Sequence, residues 1–200
     1  AGHMVNEQGR QDHVSNTMPQ PYYWFDGVND NIKVPNNANI NMGISDFTWA
    51  VWAKIPPEHS TTSMLMGKGT TGDNPTIYMF IEDNGTFKAG VEDSSGNAID
   101  NTADGGDWRD GKWHHFLCVF NYGGTMDRYV DGKNIGTNNS ISAVGSTDNT
   151  NDLFIGAWVT GVAYNISASI SDVKIFNKAL TVAEIQEFYS GTSVPFKYKG

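Results

Sequence analysis

Two short segments combine aromatic rings with amide, hydroxyl and charged side chains, the groups from which sugar-binding surfaces are built. Segment 158–165 holds Trp158, Tyr164 and Asn165, and segment 104–110 holds Trp108 next to Arg109. An aromatic ring can stack on the apolar face of a pyranose, while amides and charged groups bind its hydroxyls. The pattern predicts a carbohydrate-binding surface with Trp158 as its main platform and Trp108 as the second candidate. The alternative for each tryptophan is packing over one end of the domain.

Oxygen-bearing side chains are dense in the segment Asp26-Gly27-Val28-Asn29-Asp30. Calcium takes roughly six to eight oxygen ligands from carboxylates, amides and backbone carbonyls. Asp26, Asn29 and Asp30 are therefore predicted to contribute to a structural calcium site. The alternative is that Asp26 and Asn29 only make side-chain hydrogen bonds within a turn, as these residue types often do.

The histidines and the single cysteine favour structural roles. His114 and His115 are neighbours on a predicted strand, so their side chains point to opposite faces and cannot bind one metal ion together. The other histidines have no spacing that suggests zinc. Cys118 lies in an apolar run, where we expect it to be buried, and a lone cysteine excludes an internal disulfide.

The elements that must position these residues are short strands separated by Gly, Asn and Asp. This spacing predicts an all-β fold, an antiparallel jelly-roll β-sandwich. Asn84-Gly85 and Asp131-Gly132 each predict a tight type I′ hairpin. The predicted strands are 22–25, 32–34, 47–55, 64–67, 76–83, 87–93, 113–121, 126–130, 153–158 and 169–176.

Alternation in the third of these strands assigns its two faces. Phe47, Trp49 and Val51 share one face, which we expect to be in the core. Trp52 falls on the opposite face, where it either packs beneath another segment or lines the open side of the sheet.

One short C-terminal helix is predicted from Val182 to about Ser190. Thr181 and Glu184 have the spacing of a capping box, and Leu180 can pack on Ile185. We expect the helix to close one edge of the sandwich and to stop at Gly191.

Composition excludes several classes of partner. The chain has 200 residues, with 13 Lys and Arg against 22 Asp and Glu, a formal net charge of −9. Because no basic run is present, binding to nucleic acid or to anionic membranes is not expected. No apolar stretch approaches the roughly 20 residues of a membrane-spanning helix.

The ends of the chain differ in character from the middle. Ala1-Gly2-His3-Met4 is typical of the remnant of a cleaved tag, so localisation cannot be inferred from this end. We interpret residues 1–20 as this remnant and a flexible arm, residues 21–192 as the sandwich, and residues 193–200 as a connection to another module.

Eight sequence pieces between Trp24 and Tyr189 occur in an order that carries a family resemblance. They are Phe25-Asp26-Gly27-Val28-Asn29-Asp30, Val34-Pro35, Phe47-Thr48-Trp49-Ala50-Val51-Trp52, Gly67-Lys68-Gly69, Asp110-Gly111-Lys112-Trp113-His114-His115, Tyr129-Val130-Asp131-Gly132-Lys133, Phe154-Ile155-Gly156-Ala157 and Ile170-Ser171-Asp172-Val173-Lys174-Ile175-Phe176-Asn177-Lys178-Ala179-Leu180. With these pieces the chain resembles the laminin G-like domains of the concanavalin A-like lectin and glucanase superfamily. The resemblance implies a jelly-roll sandwich and no particular activity.

The resemblance also bears on metal binding and catalysis. A calcium ion in this superfamily often joins the early turn to a late strand, which implies Asp172 as a further ligand. Glycosidases on this fold carry glutamates around an aspartate, but none of the six glutamates here is followed two residues later by aspartate. Residues 86–90 are similar to a motif of jelly-roll alginate lyases but lack its tyrosine, and the Arg-rich strand of those enzymes is missing. No catalytic residue is predicted.

The sequence therefore favours a non-catalytic carbohydrate-binding or adhesion module that binds a neutral glycan. Such a module would be tethered to others in a larger extracellular, cell-surface or virion-exposed protein. The alternatives are a structural or receptor-binding module without a sugar site, as in a phage tail or an adhesin, and a polysaccharide-cleaving enzyme.

Overall fold

The computed structural model describes residues 21–70, 73–101, 106–136, 139–158 and 163–193. These residues form two antiparallel sheets, a 3-10 turn at Ala38–Ile40 and a C-terminal helix, α1 (Val182–Ser193). The strands are β1 (Tyr23–Asp26), β2 (Ile32–Val34), β3 (Phe47–Lys54), β4 (Ser63–Thr70), β5 (Asp73–Ile81), β6 (Phe87–Glu92), β7 (Ala98–Asn101), β8 (Trp113–Phe120), β9 (Thr125–Val130), β10 (Lys133–Asn134), β11 (Asn139–Ser140), β12 (Leu153–Ile155) and β13 (Ser167–Phe176).

The two sheets stack face to face, which confirms the predicted jelly-roll β-sandwich. The seven-stranded sheet has the order β1-β13-β3-β8-β9-β10, and β11 also pairs with β9. The six-stranded sheet has the order β2-β12-β4-β5-β6-β7. We call the face of each sheet that points away from the other sheet its outer face. The predicted arm, residues 1–20, and most of the predicted C-terminal connection lie outside the described residues.

The core between the sheets follows the predicted alternation in β3. Phe47, Trp49 and Val51 are fully buried there. The Phe47 ring stacks on Phe120 of β8 with ring centroids 4.4 Å apart. Cys118 lies in the same core, and burial raises the pKa of its thiol. The predicted burial of this cysteine is confirmed.

Helix α1 begins with the predicted capping box. The Glu184 amide donates to Thr181 Oγ1 at 3.3 Å, and the Thr181 amide donates to the Glu184 carboxylate at 3.0 Å. Leu180 and Ile185 pack in one apolar cluster, as predicted. The predicted end at Gly191 is wrong, because the helix continues to Ser193. Within the described chain, no helix is both long enough and apolar enough to cross a membrane.

The helix covers the outer face of the seven-stranded sheet, and the prediction that it closes an edge is wrong. Its cluster includes Leu117 of β8, which points away from the main core. Trp52, fully buried, stacks on Tyr189 of the helix with ring centroids 5.7 Å apart. Trp52 therefore packs beneath another segment, the first of its two predicted alternatives.

The two predicted hairpin turns differ. Asp131 and Gly132 have φ angles of 52° and 74°, which confirms a type I′ turn between β9 and β10. At Asn84-Gly85 only Gly85 has a positive φ. The Gly85 amide donates to the Glu82 carbonyl and the Glu82 amide to the Thr86 carbonyl. This pattern is a three-residue loop with a glycine bulge, so the predicted type I′ turn is wrong there.

A buried lysine organises the loop that precedes β12. Lys68 of β4 is 1% exposed. Its ammonium donates to the Asn149 carbonyl at 2.9 Å, to Asn149 Oδ1 at 2.7 Å and to the Asn151 carbonyl at 2.8 Å. Burial lowers the pKa of Lys68 to about 8, and the charges of Asp148 and Asp152 partly offset this effect. The group is therefore charged at neutral pH.

His114 and His115 point to opposite faces, as predicted. The His114 ring lies between two carboxylates, with Nδ1 2.7 Å from Asp131 Oδ2 and Nε2 3.1 Å from Asp110 Oδ1. Burial acts to lower the pKa of His114, but the hydrogen bonds and charges of these two aspartates outweigh it and raise the pKa. His115 is buried beneath α1 against Phe188 and Trp52.

The environment of His115 predicts a loss of stability in mild acid. Neither ring nitrogen has a hydrogen-bond partner among the described residues. Burial, helped by the charge of Lys174, lowers the pKa of His115 to about 3 from an ordinary 6.5. The folded state thus binds fewer protons than the unfolded state between these values, and stability falls as the pH drops below 6.5. Because of this histidine, we expect the free energy of unfolding to fall by about 2 kcal/mol between pH 6.5 and pH 5.

Urea denaturation of wild type and His115→Phe at both pH values measures this contribution. Phenylalanine keeps the ring packing but cannot take up a proton, so its stability should fall less steeply. Equal pH slopes in the two proteins would contradict the prediction.

Candidate functional site

An aromatic surface occupies the outer face of the six-stranded sheet. On β5, Ile77, Met79 and Ile81 point into the core. Because side chains alternate along a strand, Tyr78 and Phe80 point outward. Together with Met64, Trp158 and Tyr164 these two residues form the aromatic surface.

Glycines in the neighbouring strands let the rings lie close to the sheet. A β-carbon at Gly67 of β4 would lie 2.7 Å from the end of the Met64 side chain and 3.2 Å from the Trp158 ring. A β-carbon at Gly90 of β6 would collide with the Tyr78 ring. Tyr78 therefore lies over the backbone of β6, and its hydroxyl donates to the Asp100 carboxylate.

Trp158 forms the foundation of this surface. Its ring is 5% exposed and stacks on Phe80 with centroids 5.6 Å apart and an interplanar angle of 19°. Strand β12 ends at Ile155, and the Trp158 amide donates to the Ala163 carbonyl at 2.9 Å, so the chain folds back and places the ring on the sheet. The expectation that Trp158 presents an open ring to a sugar is therefore wrong. Packing, the alternative for this residue, is what the structure shows.

Tyr164 is the exposed ring of the aromatic surface. It is 42% exposed, and its ring lies edge-on to Phe80 at 5.2 Å. Its φ of 53° is unusual for a residue other than glycine. The Met64 amide donates to the Tyr164 carbonyl at 2.8 Å and fixes this backbone position. Tyr164 and Trp158 both contact Phe80, and of these two predicted residues the exposed ring is the tyrosine.

Charged groups border the aromatic surface beside Tyr78. Lys88 lies 3.2 Å from Asp100 and 3.8 Å from Glu82. Its ammonium is also 5.9 Å from the centroid of the Tyr78 ring. Burial raises the pKa of Asp100. An ammonium and two carboxylates next to a flat ring can bind the hydroxyls of a sugar that stacks on that ring.

Sequence reasoning missed Tyr78 and Phe80. The signal was present in the predicted strand 76–83, since Ile77, Met79 and Ile81 mark one face as core and leave these two rings on the other.

A polar cleft of about 200 Å³ lies next to this surface, at one end of the sandwich. It is lined by Asp26, Gly27, Glu58, His59, Ser60, Thr61, Asn165 and Ser167. Asn165 donates through Nδ2 to the Val28 carbonyl, and its own carbonyl accepts from Ser63 Oγ at 3.0 Å. The cleft therefore lies between the early turn, the predicted calcium segment, and the predicted sugar-binding segment that follows Trp158.

Arg109 and Trp108 hold loops together at the same end. Arg109 forms an ion pair with Asp107 at 2.7 Å and donates to the backbone carbonyls of His59, at 2.8 Å, and Asp83, at 2.5 Å. Trp108 is half-buried, with its ring edge-on to His114 at 5.0 Å. Trp108 thus packs in part against His114, and Arg109 has three partners in the surrounding loops. Their part in ligand binding stays a prediction.

Two of the predicted calcium ligands, Asp26 and Asp30, make hydrogen bonds within the early turn. Asp26 Oδ1 accepts from the Val28 amide at 2.8 Å and the Asn29 amide at 3.3 Å, and Asp30 Oδ2 accepts from the Asp26 amide at 3.0 Å. The amides that donate to the Asp26 carboxylate lower its pKa, and the Val28 amide contributes most. Such turn hydrogen bonds are the alternative interpretation of the segment.

The strand register separates Asp172 from this turn. Asp26 pairs with Ser167 of β13, so Asp172 lies five residues, roughly 16 Å, further along the strand. Asp172 pairs with Lys174 at 2.7 Å instead. Within the described residues, no group of three or more His, Cys, Asp or Glu side chains is arranged to hold a metal ion. Asp172 therefore does not join Asp26 in one calcium site, and calcium binding at the early turn stays a prediction.

The fold and its aromatic surface define a lectin-like jelly-roll sandwich. Residues 26–186 match the family described as the concanavalin A-like lectin/glucanases superfamily. The chain belongs to this superfamily, as its sequence pieces predicted. No curated protein matches the sequence significantly.

Solved structures with the same fold include binding domains of clostridial toxins. The binding domain of Paraclostridial Mosquitocidal Protein 1 has a TM-score of 0.73 and 19% identity, over 86% of this chain and 44% of that one. The botulinum neurotoxin serotype D binding domain has a TM-score of 0.71 and 18% identity, over 88% and 44%. The serotype D ligand-binding domain in complex with N-acetylneuraminic acid has a TM-score of 0.66 and 18% identity, over 81% and 40%. The chain thus spans less than half the length of these structures.

Proposed function

We propose that this domain is a non-catalytic carbohydrate-binding module that binds a glycan on the aromatic surface of the six-stranded sheet. The observation that carries the proposal is the exposed Tyr164 ring, which contacts Phe80 on one side while Tyr78 contacts Phe80 on its own side. Lys88 and Asp100 lie at the border next to Tyr78. A pyranose stacked on Tyr164 can place its hydroxyls within reach of Lys88 and Asp100.

Two observations support a binding role without catalysis. The sequence lacks the glutamate and aspartate arrangement of the glycosidases on this fold. On the aromatic surface, the carboxylates of Glu82 and Asp100 both lie near Lys88. Both carboxylates are therefore engaged in ion pairs with the same ammonium.

The similar structures are consistent with this proposal. They are binding domains, and one was crystallised with N-acetylneuraminic acid. Because they extend well beyond the matched region, we also propose that this chain acts as one module of a larger protein, exposed on a surface or secreted.

Removing the exposed ring should weaken glycan binding. A glycan array of neutral and sialylated structures identifies the ligand, and calorimetry then measures its affinity. We expect Tyr164→Ala to lower the affinity by more than about tenfold, which is about 1.4 kcal/mol, because it removes the stacking platform.

Tyr23→Ala is the matched control, since Tyr23 is 67% exposed but lies on β1 of the other sheet. Its affinity should equal that of the wild type. Unchanged affinity in Tyr164→Ala with an unchanged melting temperature would exclude the aromatic surface as the site. Release of reducing ends from a bound polysaccharide would contradict the non-catalytic role.

A further inference from the structure

The outer face of the seven-stranded sheet carries a second set of exposed groups, centred on Trp24 of β1. Phe25 points into the core, so its neighbours Trp24 and Asp26 point outward. Trp24 is 63% exposed and its ring makes no aromatic contact within the described chain. An exposed indole ring is an apolar surface on which a sugar ring can stack.

A row of serines lies beside this tryptophan on β13. Ala168 and Ile170 point into the core, so Ser167, Ser169 and Ser171 point outward. Ser169 pairs directly with Trp24, and Ser167 pairs with Asp26. Short side chains in this row leave a shallow track along β13, with one side of the Trp24 ring as a wall and serine hydroxyls as its floor.

Lys54 of β3 stands on the other side of the track. It pairs with Ser169 and is half-buried. It forms no ion pair within the described residues. Adjacent strands are about 4.8 Å apart, so the backbones of Trp24 and Lys54 are about 10 Å apart across Ser169. The track is therefore about as wide as one sugar ring, with an aromatic wall on one side and a hydrogen-bond donor on the other.

The two ends of the track differ. At one end, Ser171 Oγ donates to the Pro21 carbonyl at 2.9 Å, and the Tyr22 ring lies edge-on to Trp113 at 5.6 Å. These contacts close the track. At the other end, Asp26 and Ser167 belong both to the track and to the polar cleft. The track and the cleft thus adjoin at Asp26 and Ser167.

The cleft contains a buried polar atom without a partner. His59 is 5% exposed, lines the cleft, and its Nε2 has no hydrogen-bond partner among the described residues. Burial lowers the pKa of His59, partly against a hydrogen bond with the Thr61 backbone, so the ring is neutral at pH 7. Such an atom is costly to bury unless a ligand or a water molecule approaches it.

We propose that the track and the cleft form a second binding site, which holds a linear oligosaccharide of at least two units. One unit stacks on Trp24 over Ser169 and within reach of Lys54, and the next lies in the cleft among Glu58, Ser60 and Thr61. Hydroxyl, carboxylate and ammonium groups around a single ring match a hydroxyl-rich chain better than an apolar protein surface. The site rests on the ligand class of the proposed function; its track lies on the opposite sheet, and its cleft adjoins the segment of Tyr164 at Asn165.

Chemical-shift mapping of the amide resonances tests the second site. The probes are cellohexaose, xylohexaose and chitohexaose, each with its monosaccharide and disaccharide. We expect at least one hexasaccharide to shift the amides of residues 167–170 and 58–61, with an affinity at least tenfold above that of its monosaccharide.

Two variants and one control locate the binding. Trp24→Ala removes the wall, and Ser169→Leu fills the track while remaining on the outer face, so each should lower this affinity at least tenfold. Tyr23→Ala should leave it unchanged. Tyr164→Ala should also leave the shifts at residues 167–170 unchanged, because the first surface lies on the other sheet.

The outcomes separate the second site from the proposed function. Shifts confined to the region of Tyr164 would overturn the second site and leave the first. The extended track would be overturned if the hexasaccharide shifted the amides of residues 167–170 no more than its monosaccharide does. It would also be overturned if Ser169→Leu left these shifts unchanged. If no hexasaccharide shifts either region and the glycan array is also blank, both proposals fail.

Discussion

Replacing Lys68 with methionine should lower the free energy of unfolding by about 3–5 kcal/mol, as breaking a buried charged interaction does. Methionine fills a similar volume but donates no hydrogen bond. Three acceptors, the two oxygens of Asn149 and the carbonyl of Asn151, would lose the ammonium in a partly buried position. Asn149 Oδ1 would keep the Asn151 amide as a donor, and the two carbonyls would lose the donor they have in Lys68. Each unsatisfied buried polar group costs about 1–3 kcal/mol.

Lys33→Met is the matched control for this experiment. Lys33 pairs with Asp152 at 2.6 Å, but its side chain is 55% exposed. An exposed pair of this kind contributes at most about 1 kcal/mol. Chemical denaturation of the two variants measures both effects. If both variants lose a similarly small part of their free energy of unfolding, water replaces the Lys68 ammonium and the prediction is wrong.

Replacing Trp49 with alanine should cost roughly 3–5 kcal/mol, the range for deleting a buried aromatic ring. Trp49 is fully buried and its ring lies 6.3 Å, edge-on, from Phe120. The sheets on either side cannot close the resulting cavity without disrupting strand pairing. Trp24→Ala is the control, because that ring is 63% exposed. A surface change of this kind stays within about 0.5 kcal/mol, and a similarly small loss in Trp49→Ala would contradict the assigned face of β3.

The sandwich was predictable because its signals are local. Alternation from Phe47 to Ile55 assigns the core face of β3, and Asp131-Gly132 favours one turn by its backbone angles alone. The capping box at Thr181 and Glu184 is equally local. Short strands such as β10 and β11 were missed, since two residues are too few for an alternating pattern.

The candidate sites were less predictable because they depend on contacts between distant segments. Whether the Trp158 ring is open depends on how the chain turns back after Ile155 and meets Phe80, some 75 residues earlier. The position of Asp172 relative to Asp26 depends on the pairing of β1 with β13, which no local pattern determines. Strand alternation could have placed Tyr78 on the outer face, but only if one face of that strand was known to lie outside the core.

The ammonium of Lys68 has a further consequence for where this domain can operate. A positive charge held by loop carbonyls often belongs to a metal ion, whose occupancy varies with its concentration and with competing chelators. Here the charge is part of the polypeptide and is bound by the loop at residues 149–151. Dilution cannot remove it, and its local concentration is fixed by the chain. The geometry of that loop therefore requires no metal ion at the position of the ammonium.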